Sequence, residues 1–197
     1  SGYVFLITAL ALIFFTGIIS DIKFINSPLI RFLAQLIIVV MFVLISELFV
    51  ENTRMTFLDL LLNNIFFKIF FTIFCFLVLI NGSNFIDGAN TLLIGYFLIV
   101  SFIIFNTVKL NNLHFDLELV TNLIFILFIL FIFNFFSKTL MGDSGSYMLG
   151  IIFGYFCIIL VNENPKVSPI FALNLLWYPA FENLFSIIRK YKNKVRP

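Results

Sequence analysis

Long apolar runs alternate with short polar connectors along the whole chain. Mostly apolar stretches cover residues 3–20, 29–50, 65–81, 89–107, 118–136, 146–162 and 168–187. Each approaches the length a helix needs to cross a hydrocarbon core about 30 Å thick. The connectors, such as Asp21 to Pro28, Gly82 to Gly88 and Ser137 to Gly145, are too short to hold a separate domain. The pattern predicts an all-α, polytopic membrane bundle with about seven transmembrane helices in a single domain over 1–197.

Composition strengthens that expectation. Hydrophobic residues make up 62% of the 197 residues and charged residues 11%, against about 25% charged in soluble proteins. Phenylalanine occurs 30 times, and Phe125 to Phe136 carries no charge that could face water. A net charge of +2, with no basic patch interleaved with aromatics, argues against nucleic-acid binding. Cys75 and Cys157 lie inside apolar stretches, without the spacing of a zinc site or redox pair, and read as packing residues.

Charge also sets orientation, because Lys and Arg are retained in cytoplasmic loops. Alternate connectors share a side. One side collects eight basic residues, Lys23, Arg31, Lys138, Arg189, Lys190, Lys192, Lys194 and Arg196; the other collects four, Arg54, Lys68, Lys109 and Lys166. The first side is therefore expected in the cytoplasm, with Ser1 outside and Pro197 inside. Asp21, the Asn84-Phe85-Ile86-Asp87-Gly88 motif and the Gly142-Asp143-Ser144-Gly145-Ser146 motif all emerge on that face.

Carboxylates at the ends of apolar helices need a functional explanation, since each costs about 2.5 to 3.5 kcal/mol on insertion scales. The glycines around Asp143 allow close backbone approach, helix-start amides can receive phosphate oxygens, and the carboxylate can bind a cation. Capping of a helix from Ser146 onward is the competing structural role for Asp143 and Ser144. A serine-hydrolase reading of Gly-Asp-Ser-Gly fails, because the only histidine, His114, lies in a connector on the opposite face. In the other motif the helix is expected to end near Ile80 and break into a polar turn, with Asn84 and Asp87 offering oxygen donors to one pocket, as magnesium accepts. An Asx turn closing a loop is the competing role there. Asp21 follows the first run beside Lys23, a position also open to a solvated surface charge. Glu182 lies roughly 10 Å inside the basic end that begins at Arg189, so it should be paired or face water. Pro179 should free the carbonyl one turn earlier and kink the helix.

Together these motifs resemble the polyprenyl-phosphate N-acetylhexosamine-1-phosphate transferases of glycosyltransferase family 4, a group that includes enterobacterial-antigen and teichoic-acid initiating enzymes and the peptidoglycan translocase. The resemblance rests on Gly17-Ile18-Ile19-Ser20-Asp21-Ile22 followed by Arg31 and Gln35, on the Asn84 to Gly88 and Gly142 to Ser146 motifs, and on Tyr178-Pro179 with Glu182 before a basic loop. It implies transfer of a sugar-1-phosphate from a UDP-sugar to undecaprenyl phosphate, with release of UMP, at the cytoplasmic face of the bacterial inner membrane. The pathway it implies is O-antigen or cell-wall polysaccharide synthesis, including lipopolysaccharide. The cofactor it implies is Mg2+, bound by Asp143 and Asn84. Asp87 would help organise the site, Asp21 would assist the lipid phosphate, and Asn84, Asn90 and Ser144 would meet substrate.

Three departures from the family pattern stand out. Ser20 occupies a position where an acidic pair is usual, Asn90 stands where a second acid commonly follows Asp-Gly, and no histidine-rich motif follows the last basic residues. The chain is accordingly expected to be a fragment, truncated at both ends and inactive alone, of a fold with roughly ten spans by family analogy. A transporter lined by intramembrane acids and an inactive membrane scaffold are the alternative functions; a transporter should place its polar residues near the midplane.

Overall fold

A computed structural model describes residues 2–25, 27–88 and 91–192. Ser1, Asn26, Asn90, Lys194, Arg196 and Pro197 therefore lie outside the described residues. Among the described residues every regular element is helical: α1 (Gly2–Asp21), α2 (Pro28–Ser46), α3 (Thr56–Leu62), α4 (Ile65–Ile86), α5 (Leu92–Asn111), α6 (Leu117–Phe135), α7 (Gly142–Glu163) and α8 (Pro169–Lys192). Helices α1, α2, α4, α5, α6 and α7 are each long and apolar enough to cross a membrane. The protein is a multi-pass helical membrane bundle.

The seventh expected span corresponds to α8. Its 24 residues would extend about 36 Å, but Asn174, Glu182 and Asn183 interrupt its apolar character and it is not among the six candidate spans. Two further expectations on helix limits are corrected. Helix α4 does not end near Ile80 but runs to Ile86, so Asn81 to Asn84 are helical. The two asparagine amides find partners in the protein: Asn81 Nδ2 donates to the Leu77 carbonyl at 2.9 Å and to Gln35 Oε1 on α2 at 3.1 Å, and Asn84 Nδ2 donates to α7. Helix α7 begins at Gly142, not Ser146, which places Asp143 and Ser144 in its first turn. The seven-residue α3 within the 51–64 connector was not anticipated.

Helix α7 is the centre of the bundle. Buried residues make up 61% of its span, against 17% for α6, and it packs on α1, α4 and α8. Lipid tails are as apolar as leucine, so association here depends on close packing rather than on hydrophobic transfer. Small residues permit that packing. A Cβ at Gly17 would lie 2.2 Å from the Ser144 Cα, so α1 meets α7 backbone to backbone next to the acidic motif. A Cβ at Gly82 would lie 2.1 Å from the Pro179 carbonyl oxygen, which fixes α4 against α8. Between these contacts, Phe97 of α5 stacks on Phe153 of α7 at 4.3 Å and Phe42 of α2 meets Phe76 of α4 edge-on at 5.6 Å.

Hydrogen bonds tie together the connectors of each face. On one face Asn164 accepts from the His114 backbone N–H at 2.8 Å and donates to its carbonyl at 3.0 Å, Asn162 donates to the Phe49 carbonyl at 2.7 Å, and Arg54 donates to the Pro165 carbonyl at 2.5 Å. The opposite face gathers the end of α1, the start of α2, the end of α4 and the start of α7. There the Thr91 N–H also donates to Asn134 Oδ1 at 2.5 Å, joining the start of α5 to the end of α6.

Candidate active site

Asp143, in the first turn of α7, is the hub of the second face. Its Oδ2 accepts from Ser20 Oγ on α1, from Arg31 on α2 at 2.9 Å and from Tyr147 Oη one turn along α7 at 3.1 Å. Its Oδ1 accepts from Asn84 Nδ2 on α4 at 2.5 Å. The same Arg31 nitrogen donates to Ser20 Oγ at 2.9 Å. Four helices thus converge on one carboxylate. Ser20 and Tyr147 are buried, whereas the Arg31 and Asp143 side chains retain 32% and 21% exposure, so the site opens at the membrane surface.

Asp21 caps α7 from the end of α1. Its Oδ1 accepts the Asp143 N–H at 2.8 Å, and its Oδ2 accepts the Ser144 N–H at 3.3 Å and the Ser144 hydroxyl at 3.0 Å. A carboxylate at this position satisfies orphan amides and sits favourably at the positive end of the helix dipole. The competing role of Asp143 and Ser144 as a cap for a helix from Ser146 does not hold: both residues belong to the helix, and the cap comes from another helix. Gly142 makes the approach possible. Its φ of +67° suits glycine, and a Cβ there would lie 2.8 Å from Asp21 Oδ2.

Asp87 lies just beyond α4. Burial pushes its pKa up to about 6, reinforced by the negative charges of Asp143 and Asp21 and opposed by the nearby Gly142 backbone N–H. Three carboxylates therefore share a small volume with one bound guanidinium, which leaves excess negative charge. Asn84, three residues before Asp87, reaches α7 through Asp143 and also donates to Ser146 Oγ at 3.3 Å. Of the residues singled out in sequence, Asp21, Asn84, Asp87, Asp143 and Ser144 converge; Asn90 lies outside the described residues. Glu182 instead pairs along α8 with Arg189 at 3.8 Å.

Ser20, Arg31 and Tyr147 are donors to Asp143 that the sequence did not single out as site residues. Arg31 carried a signal through its place after the Gly17 to Ile22 motif, and Tyr147 through its i+4 spacing from Asp143. A family model for glycosyl transferase family 4 matches residues 3–161, nearly the whole of α1 to α7. The chain belongs to glycosyl transferase family 4. A comparison with curated proteins gives no match. This family membership makes the protein a membrane phospho-sugar transferase, and every converging residue named above falls within the matched region.

The transferase offers a cation hard oxygen donors. Asp143 and Asp87 are carboxylates, with the Asn84 amide beside them, while the only histidine sits on the opposite face. No group of three or more His, Cys, Asp or Glu side chains is arranged as a metal cage among the described residues. One or two carboxylates with an amide are the donor chemistry that magnesium takes where waters and substrate phosphates complete its shell.

Proposed function

We propose that this transferase moves a sugar-1-phosphate, N-acetylhexosamine-1-phosphate in the reading we favour, from a UDP-sugar to undecaprenyl phosphate and releases UMP. The pathway is O-antigen or cell-wall polysaccharide synthesis at the cytoplasmic face of the bacterial plasma membrane. The observation that carries the proposal is the convergence of Asp143, Asp87 and Asp21 with Arg31 at the exposed end of a membrane bundle. A lipid-borne acceptor and a water-soluble donor can meet only at such a place.

In the reaction, an oxygen of the lipid phosphate attacks the sugar-bearing phosphorus of the donor. The bond from that phosphorus to the bridging oxygen breaks, and UMP leaves with the electron pair. Both reactants are anions, and the acceptor phosphate is largely ionised at neutral pH, so orienting the reactants and offsetting their charge matter more than removing a proton. Asp143 and Asp87, with Asn84, would hold Mg2+. When bound, that ion supplies charge neutralisation on the transferring phosphoryl group. Arg31 adds a second positive charge with a fork suited to phosphate. Asp21 already accepts two backbone amides and a hydroxyl, which gives it a positioning role: it anchors the first turn of α7 and thereby aims Asp143.

The test is exchange of labelled UMP into UDP-N-acetylhexosamine by the full-length protein in membranes containing undecaprenyl phosphate. Asp143→Asn should lower exchange by on the order of 10² to 10³-fold, and chelation of Mg2+ should abolish it. Undiminished exchange in Asp143→Asn would remove Asp143 from the reaction.

A further inference from the structure

We infer that Arg31 and a divalent cation compete for Asp143, and that the guanidinium displaced by the cation binds the donor's diphosphate. The inference rests on the reading of the site as a cation-dependent sugar-phosphate transferase.

Crowding at Asp143 is the starting observation. An ionised carboxylate has about two acceptor positions on each oxygen, yet Oδ2 receives donors from Ser20, Arg31 and Tyr147, while Oδ1 receives Asn84. A cation that takes Oδ2 needs a lone pair that one of these donors now holds, and one that takes the remaining position on Oδ1 comes to lie beside the guanidinium on the same carboxylate. The four are not equally free to leave. Ser20 and Tyr147 are 7% and 4% exposed, with short or rigid side chains rooted in packed helices. Asn84 is held at both Asp143 and Ser146. Arg31 is different: its side chain is 32% exposed, it lies in the first turn of α2 behind Pro28, and its long stem has several rotatable bonds.

Electrostatics selects the same residue. Hydroxyl and amide donors tolerate a nearby cation, whereas a guanidinium and a divalent ion on one carboxylate repel each other whichever oxygen each takes. Among the described residues Arg31 binds through a single terminal nitrogen, to Asp143 and Ser20. The rest of its donor fork remains available, and that fork matches phosphate oxygens in a bidentate manner. A guanidinium leaving Asp143 therefore stays within reach of the anion that accompanies the cation. Cation binding and donor binding are coupled by this exchange, because each ligand removes the partner that opposes the other.

The experiment titrates Mn2+ into the purified full-length protein without donor, following free Mn2+ by electron paramagnetic resonance, and measures donor KM separately. Arg31→Gln removes the competing charge. It should bind Mn2+ roughly two- to five-fold more tightly, the scale of a lost part-exposed ion pair, and raise the donor KM roughly ten-fold through the loss of a charge-assisted contact. Unchanged or weaker Mn2+ binding in Arg31→Gln would overturn the inference, since a guanidinium that only braces Asp143 would make the cation bind less well when lost. Arg31→Lys retains the charge without the fork and decides the matter if Arg31→Gln does not fold. It should keep near-native Mn2+ affinity with a raised KM, and an unchanged KM would count against the exchange. Asp143→Asn is run in parallel: Mn2+ binding that survives it would overturn the metal reading itself, separately from the role of Arg31.

Discussion

Asp87 is the residue at which protonation should be visible. Its folded pKa of about 6 stands above the ordinary carboxylate value, so the fold favours the protonated form. The stabilisation is complete below the unfolded value, near pH 4, and is lost as pH rises through about 6. Asp87→Asn should accordingly match the native protein in thermal unfolding below about pH 4 and exceed it above about pH 6 in metal-free buffer. The gap should be about 1 kcal/mol once solvent screening of a part-exposed carboxylate is allowed for. Added Mg2+ should close the gap at high pH; a constant difference across the range would show that the Asp87 charge is not opposed by its surroundings. The carboxylates of this site were legible in the sequence because an acidic residue at the end of an apolar run is conspicuous on energetic grounds. Their partners were not. Arg31 reads as one of the basic residues that set orientation, Tyr147 as another aromatic in a membrane span, and Ser20 as a small polar residue at a helix end. Only the packing of α1, α2 and α4 around α7 turns them into donors to Asp143.

Helix boundaries show the same division. The apolar interiors of the long helices were legible, since length and hydropathy alone define them. The end of α4 and the start of α7 were not, because Asn81 to Asn84 and Gly142 to Ser144 look like loop to any hydropathy measure, although neighbouring helices bond Asn81, Asn84, Asp143 and Ser144. Within α8 the expectation from Pro179 can be followed further. The missing proline N–H frees the Leu175 carbonyl, and Tyr96 Oη on α5 donates to that oxygen. The helix continues from Pro169 to Lys192 through the proline. An interhelical hydrogen bond of this kind contributes about 0.6 to 1 kcal/mol in a membrane protein. Tyr96→Phe should lower unfolding stability by that amount in mixed micelles. The same change in a Pro179→Ala background should cost less, because alanine restores the N–H that the Leu175 carbonyl lacks. Equal costs in the two backgrounds would mean that Tyr96 does not stand in for the absent backbone bond.

At the scale of the whole molecule, the hydrogen-bonded connectors define two faces, and their charges differ. Lys23, Arg31, Lys138 and Arg189 belong to the face that carries Asp143, while Arg54, Lys109 and Lys166 belong to the other. By the positive-inside rule the proposed function puts the Asp143 face in the cytoplasm, and that orientation can be tested. Lys138 and Lys166 are both exposed, in connectors at the two ends of α7, and so report opposite faces from one central helix. With Cys75 and Cys157 replaced by alanine, Lys166→Cys should react with a membrane-impermeant maleimide in intact cells, and Lys138→Cys only after permeabilisation. The result bears directly on chemistry. A nucleotide-sugar is a multiply charged solute that does not cross a bilayer unaided, because burying charge in hydrocarbon is costly. Labelling of Lys138→Cys from outside would separate the Asp143 cluster from the compartment where UDP-sugars are made, and the proposed donor would fail even though the cluster itself remained intact. Protection of Lys138→Cys, in contrast, places the carboxylates where a soluble donor and a lipid phosphate of the inner leaflet can reach Asp143 and Arg31 together.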